Sequence, residues 1–216
     1  MIKAVIFDLD NTLYDYDVCN SIAEEKLSEK ISYEFNIEAA KARKLLENAK
    51  SNIKKNLGNE VAASHNRLLY MQNICEQLKT SAAVHAMGLY DVYWDSMLSE
   101  MKLFGYVRPL MEELKKRKIK IGILTDMTAH IQYRKLGKLD LLGYIDYITT
   151  SEKAGIEKPA KKIFSVMLEK IGIAPCEAVM VGDSKAKDVE GAENVGIKWI
   201  LYHKGMDAYS KVLEAL

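Results

Sequence analysis

The chain opens on a short unbroken apolar run, Lys3-Ala4-Val5-Ile6-Phe7, that stops at the acids Asp8 and Asp10. A run this short, rich in β-branched residues, predicts a strand buried on both faces rather than a helix. Comparable runs span Lys120 to Leu124, Ala178 to Val181 and Lys198 to Leu201, with Tyr144 to Thr149 a less regular fifth. Between them, apolar positions recur at helical spacing. Leu110 and Leu114 form one stripe, Ile163, Val166, Met167 and Ile171 another, and Val189, Ala192 and Val195 a third. Strands alternating with amphipathic helices predict an α/β fold, a parallel sheet with helices on both faces.

One stretch breaks the alternation. From Tyr16 to Lys102 there is no proline, and the pattern reads as four helices, over about 17–34, 38–56, 60–79 and 82–100, with a turn at Gly58-Asn59 between the second and third. Pro109 marks re-entry into the α/β pattern at the start of a helix. The predicted division is a core of residues 1–15 and 103–216 and an all-helical insert of residues 16–102. A chain of 216 residues is long enough for both.

Composition narrows the partners. Apolar residues make up 49% of the chain, and 31 basic against 30 acidic side chains leave a net charge of +1. No broad field exists to attract nucleic acid, so any anion site must be local. The cysteines Cys19, Cys75 and Cys176 form no CxxC pair, which argues against a disulfide framework or a thiolate zinc site. No stretch reads as a signal peptide or a membrane span. The expectation is a cytoplasmic protein with a small-molecule partner, acting as a monomer or homodimer.

Ligands of open α/β sheets bind beyond the carboxyl ends of the strands, so the residues following each strand carry the argument. The first strand ends in Asp8, with Asp10 two residues on. The second ends in Thr125-Asp126. The Ala178 run ends in Gly182-Asp183-Ser184, with Asp188 one helical turn further, and Lys158-Pro159 opens a helix between the two. Asp8, Asp10 and Asp183 gathered in one crevice would repel and raise one another's pKa. A divalent cation removes the conflict. Carboxylates, a backbone carbonyl and waters suit magnesium, and no His or Cys cluster calls for zinc.

These four segments, in this order, resemble the motifs of the haloacid dehalogenase superfamily, in its phosphatase branch with a helical cap inserted after the first motif. Motif one is Asp8-Leu9-Asp10-Asn11-Thr12-Leu13, motif two Ile123-Leu124-Thr125-Asp126, motif three Lys158-Pro159, and motif four Gly182-Asp183-Ser184 with Asp188. The resemblance implies a Rossmann-like core and hydrolysis of a small phosphomonoester, such as a nucleotide, sugar phosphate or phospho-acid. It implies Asp8 as nucleophile, Asp10 as acid and then base, and Asp10's backbone carbonyl as a metal ligand. Thr125, Asp126 and Leu9 would hold phosphoryl oxygens, the latter two through backbone amides. Lys158 would balance charge. Asp8 and Asp183 would bind magnesium directly, and Asp188 through water. Ser184 reads as a helix N-cap.

The pair Asp126-Met127 departs from the Asn that many relatives carry after the motif-two Thr or Ser, and a negative side chain beside a phosphate must point elsewhere. The insert would act as a lid and selector, with hinges near Tyr14-Asp15 and Leu103-Gly105. Its candidates for touching a leaving group are Tyr16, His65, Arg67, Tyr70, Tyr90, Tyr93 and Trp94. Tyr90, Tyr93, Trp94 and Met97 lie at helical spacing and read as insert core, while His65 and Arg67 read as surface residues. A phosphomutase is the first rival within the fold. A haloacid dehalogenase, which needs neither Asp10 as acid nor magnesium, and a non-catalytic phosphoacceptor or binding protein rank behind it.

Overall fold

The computed structural model describes residues 1–58 and 60–216, so half of the expected Gly58-Asn59 turn, Asn59, lies outside the described residues. The chain divides into two compact units, Met1–Asp15 with Lys102–Leu216, and Tyr16–Met101. Lys102 thus groups with the first unit.

In chain order the elements are β1 (Ala4–Phe7), α1 (Tyr16–Phe35), α2 (Ala39–Leu57), α3 (Arg67–Gln77), α4 (Ala82–Glu100), α5 (Val107–Lys116), β2 (Lys120–Thr125) and α6 (Ala129–Lys138). They continue with β3 (Tyr147–Thr150), α7 (Ser151–Ala154), α8 (Lys161–Ile171), β4 (Ala178–Gly182), α9 (Glu190–Glu193), β5 (Lys198–Leu201) and α10 (Ala208–Ala215).

The first unit is a five-stranded sheet in the order β3-β2-β1-β4-β5, parallel throughout. Its all-buried central strand, β1, is the first apolar run. Phe7 lies level with Ile123 of β2 and Val181 of β4. That register brings Asp8, Thr125 and Asp183 to one edge of the sheet. On one face, Ile163, Phe164, Met167 and Leu168 of α8 pack on Ile6, Leu124 and Met180, each such side chain adding about 1.5–3 kcal/mol when fully buried. Gly122 lets α8 approach, since a Cβ there would sit 3.3 Å from Met167 Sδ.

One local detail differs from expectation. β3 begins at Tyr147, three residues later than the pattern predicts. The Asp146 N–H still donates to Ile121 O at 2.9 Å, but it is the Asp146 carboxylate that accepts from Ile121 N (2.9 Å), together with Lys115 Nζ (2.9 Å), so regular backbone pairing starts only at Tyr147. Pro109 sits in the first turn of α5, at the start of a helix as expected, where a missing N–H costs nothing. The segments flanking the insert pair within this unit. Tyr14 bridges Leu103, and Phe104 N donates to Leu13 O at 2.9 Å.

The second unit is helical. Its buried residues include Ala23, Leu27 and Ile31 of α1, Leu45, Leu46 and Ala49 of α2, Met71 and Ile74 of α3, and Leu89, Tyr93, Trp94 and Met97 of α4, with Tyr90 half-buried. The single helix expected over 60–79 is instead a 3-10 turn, Ala62–His65, followed by α3. Asn66 makes the break. Its extended backbone and its Oδ1, accepting from Leu68 N at 2.9 Å, form an N-cap. Arg67, expected at the surface, is buried. Its guanidinium donates to Tyr93 Oη (3.1 Å), Tyr16 Oη (2.7 Å) and the His65 carbonyl (2.8 Å), and it lies over the Tyr70 and Tyr93 rings.

Candidate active site

Asp8 leaves β1 still paired to the sheet, its N–H donating to Val181 O at 2.9 Å. Its carboxylate is buried. Lys158 Nζ reaches it from the loop before α8, donating to Asp8 Oδ1 at 2.8 Å and to Asp188 Oδ1 at 2.6 Å. Asp188, 1% exposed, lies on a π-helical turn, Lys185–Val189, immediately after β4. Its Oδ2 accepts from Ser184 N at 3.0 Å. Gly182 makes room for it, because a Cβ there would collide with the Asp188 carboxylate. Ser184 is an N-cap, its Oγ accepting from Lys187 N at 3.2 Å.

One carboxylate oxygen each from Asp8, Asp183 and Asp188 lies within 4.8 Å of the others. Burial pushes the Asp8 carboxyl well above its usual range. Lys158 opposes the rise, and the charges of Asp188 and Asp10 add to it. Asp183 is raised for the same reasons, burial first and Asp188 next. Burial disfavours the Lys158 ammonium, but Asp188, Asp8 and Asp126 outweigh it and hold its pKa above normal. Three acids against one buried lysine leave a surplus of negative charge and oxygen-only donors, which fits a hard divalent cation.

Asp188 joins Asp8 and Asp183 in the tightest group of carboxylates, while Asp10 stays close enough for its charge to raise both Asp8 and Asp183. The Asp10 carboxylate is turned to other partners. Lys135 Nζ donates to both its oxygens, at 2.7 and 2.8 Å, and Tyr14 Oη donates to Oδ1 at 2.6 Å.

Thr125 is buried at the end of β2. Gln132 Nε2 donates to Thr125 Oγ1 at 2.6 Å and to the Asp126 carbonyl at 2.8 Å. The threonine's own proton is directed at the Asp126 carbonyl across 3.3 Å, a long bond that a phosphoryl oxygen would replace. The Asp126 carboxylate is occupied elsewhere. It accepts from Lys158 N at 3.0 Å and from Lys187 Nζ at 2.8 Å, and Lys187 also meets Glu157 at 3.2 Å. The unusual acid at motif two therefore braces the motif-three loop. Leu9 is buried just past Asp8 and begins the turn that Leu13 N closes on its carbonyl at 3.0 Å.

Gln132, Lys135, Tyr14 and Lys187 escaped the sequence reading. A signal for two of them exists. The buried stripe of α6 is Ile131, Gln132, Lys135 and Leu136, so half of an inward-facing stripe is polar. Buried lysine and glutamine need partners.

Comparisons with known proteins place the chain in a family. A family described as haloacid dehalogenase-like hydrolase matches residues 5–202. The chain is 37% identical over 206 residues to a ribulose-1,5-bisphosphate 5-phosphatase of Halopiger xanaduensis, covering 94% of this chain and 85% of the relative. It is 30% identical over 207 residues to a glyceraldehyde 3-phosphate phosphatase of Methanopyrus kandleri, covering 95% and 85%. Among solved structures, a haloacid-dehalogenase-type phosphatase from Thermococcus onnurineus matches with a TM-score of 0.70 at 26% identity, over 95% of this chain and 88% of that one. A 2-haloacid dehalogenase from Pseudomonas syringae matches with a TM-score of 0.76 at 25% identity, over 100% and 98%.

Proposed function

This chain is a phosphatase of the haloacid dehalogenase-like hydrolase family, and we propose that it cleaves small phosphomonoesters with magnesium through an aspartyl-phosphate on Asp8. The observation that carries the reading is the buried Asp8 carboxylate at the end of the central strand, gripped by Lys158 at 2.8 Å beside Asp183 and Asp188. Asp8, Asp183, the Asp10 carbonyl and, through water, Asp188 would hold the cation. Bound magnesium neutralises the acids and polarises a phosphoryl oxygen.

An Asp8 oxygen attacks phosphorus, and the bond from phosphorus to the ester oxygen breaks. Asp10 gives its proton to the departing oxygen. Thr125 Oγ1 and the backbone amides of Leu9 and Asp126 hold the phosphoryl oxygens, while Lys158 offsets their charge. Water then attacks phosphorus, Asp10 takes its proton, and the bond from phosphorus to the Asp8 oxygen breaks. Phosphate and free Asp8 result.

Small sugar phosphates are the first substrates to test, as the names of the relatives at 37% and 30% identity indicate. Leaving-group choice is assigned to the helical unit. Among the described residues, no helix is long and apolar enough to cross a membrane. All three cysteines are free, with Cys176 exposed, which favours a reducing, cytoplasmic setting.

The test is phosphate release from a panel of phosphorylated metabolites, with magnesium and with EDTA. Phosphate in large molar excess over enzyme, abolished by EDTA and reduced at least ~10³-fold by Asp8→Asn, is expected. Product phosphorylated at a new position without free phosphate would instead indicate a mutase.

A further inference from the structure

Resting on that reading, we infer that Lys135 is a positioning residue for the leaving-group step, fixing the Asp10 carboxyl where it meets the ester oxygen. Lys135 is fully buried on α6, 125 residues from Asp10 in the chain. Its ammonium donates to the two Asp10 oxygens at 2.7 and 2.8 Å and also reaches Met127 Sδ at 3.8 Å. The ammonium also lies 5.9 Å from the centre of the Tyr14 ring, whose hydroxyl donates to Asp10 Oδ1.

Burying an ammonium is costly unless it is countered. A buried position on the same helical stripe as Ile131 and Leu136 would pack as well with leucine or methionine. What the lysine adds is a fork of two hydrogen bonds that fixes the rotation of one particular carboxylate. Asp10 lies outside the named strands and helices, in an isolated bridge with Tyr14, and a backbone bridge does not by itself fix the rotation of the carboxylate about its side-chain torsions. A proton donor must reach its target within hydrogen-bond distance at the moment of transfer, and small misplacements there are expensive. The neighbouring α6 residue one turn earlier, Gln132, grips Thr125 in the same way. One helix thus supports both the phosphate-holding and the proton-donating groups.

The test uses two substrates of the same enzyme: an alkyl phosphate, whose leaving oxygen needs a proton, and 2,4-dinitrophenyl phosphate, whose leaving group does not. kcat/KM is compared because it reports only the steps up to formation of the aspartyl-phosphate. Lys135→Met should lower kcat/KM on the alkyl phosphate about 10²-fold and leave the dinitrophenyl ester within about threefold. The ratio of the two is taken within one preparation, so partial misfolding cancels. Lys135→Gln, which keeps an amide NH2 but loses the charge, should fall between wild type and Lys135→Met. An equal loss on both substrates, or no loss on either, overturns the inference. Asp10→Asn is run alongside. If it shows the substrate split and Lys135→Met does not, Lys135 has no positioning role and the acid assignment stands. If Asp10→Asn shows no split, the acid assignment falls and takes this inference with it.

Discussion

Asp8, Asp183 and Asp188 are an acidic cluster in which only one buried lysine opposes three carboxylates. Burial and mutual repulsion raise Asp8 and Asp183 above the ordinary range. Protons must leave these groups for a cation to enter, so magnesium affinity should increase with pH until they are ionised. An exposed carboxylate is already ionised above about pH 5. A gain in affinity that continues above about pH 5, followed by calorimetry, therefore reports the raised groups. A flat profile above that pH would contradict the cluster as the metal site. Asp8 and Asp183, proposed as nucleophile and metal ligand, could be singled out from sequence because each directly follows an apolar strand. The burial of Asp188 could not, since an acid in a first helical turn is usually a solvated charge.

Elements rather than single residues set the accuracy of this site. The π-helical turn after β4 aims Asp188 inward at Lys158, and such turns recur at functional sites. Lys158 in turn is held from behind by close packing of α9 on α8. A Cβ on Gly191 would collide with the Phe164 ring and lie 3.2 Å from Pro159 Cα, next to Lys158. Gly191→Ala should therefore destabilise the protein by about 1–3 kcal/mol, read from urea unfolding, and lower kcat as Lys158 shifts. Unchanged unfolding and turnover would mean that α9 yields freely. The strand pattern was readable because a doubly covered strand must be apolar throughout. The break between Ala62 and Arg67 was missed because helical spacing continues through Asn66, and its cap outweighs that spacing locally.

At the scale of the whole molecule, the chemistry belongs to the first unit, Met1–Asp15 with Lys102–Leu216, assembled from segments that are distant in sequence. A cation that binds only the folded arrangement of Asp8, Asp183 and Asp188 stabilises it by mass action, about 2.7 kcal/mol at a hundredfold excess over Kd. Magnesium at such an excess should raise the melting temperature by about 5–10 °C, read by calorimetry or circular dichroism. Asp183→Asn should remove most of that rise. A rise of equal size in the variant would locate the metal elsewhere. The net charge of +1 leaves phosphate binding to this local constellation, so salt should affect it less than it would a broad basic surface.

The sequence by itself determined the parallel sheet, the helical insert and the edge at which the four motifs gather. These follow from local rules: unbroken apolar runs become buried strands, and parallel strands present their carboxyl ends together. Only the tertiary structure decided which charges meet. It turned the Asp126 side chain to Lys187, buried Asp188 beside Asp8 and Asp183, and set Lys135 against Asp10. The physical reason is that the partner of a buried charge is fixed by packing across the fold, between residues as far apart as Asp10 and Lys135, and nothing near either residue in the chain records it.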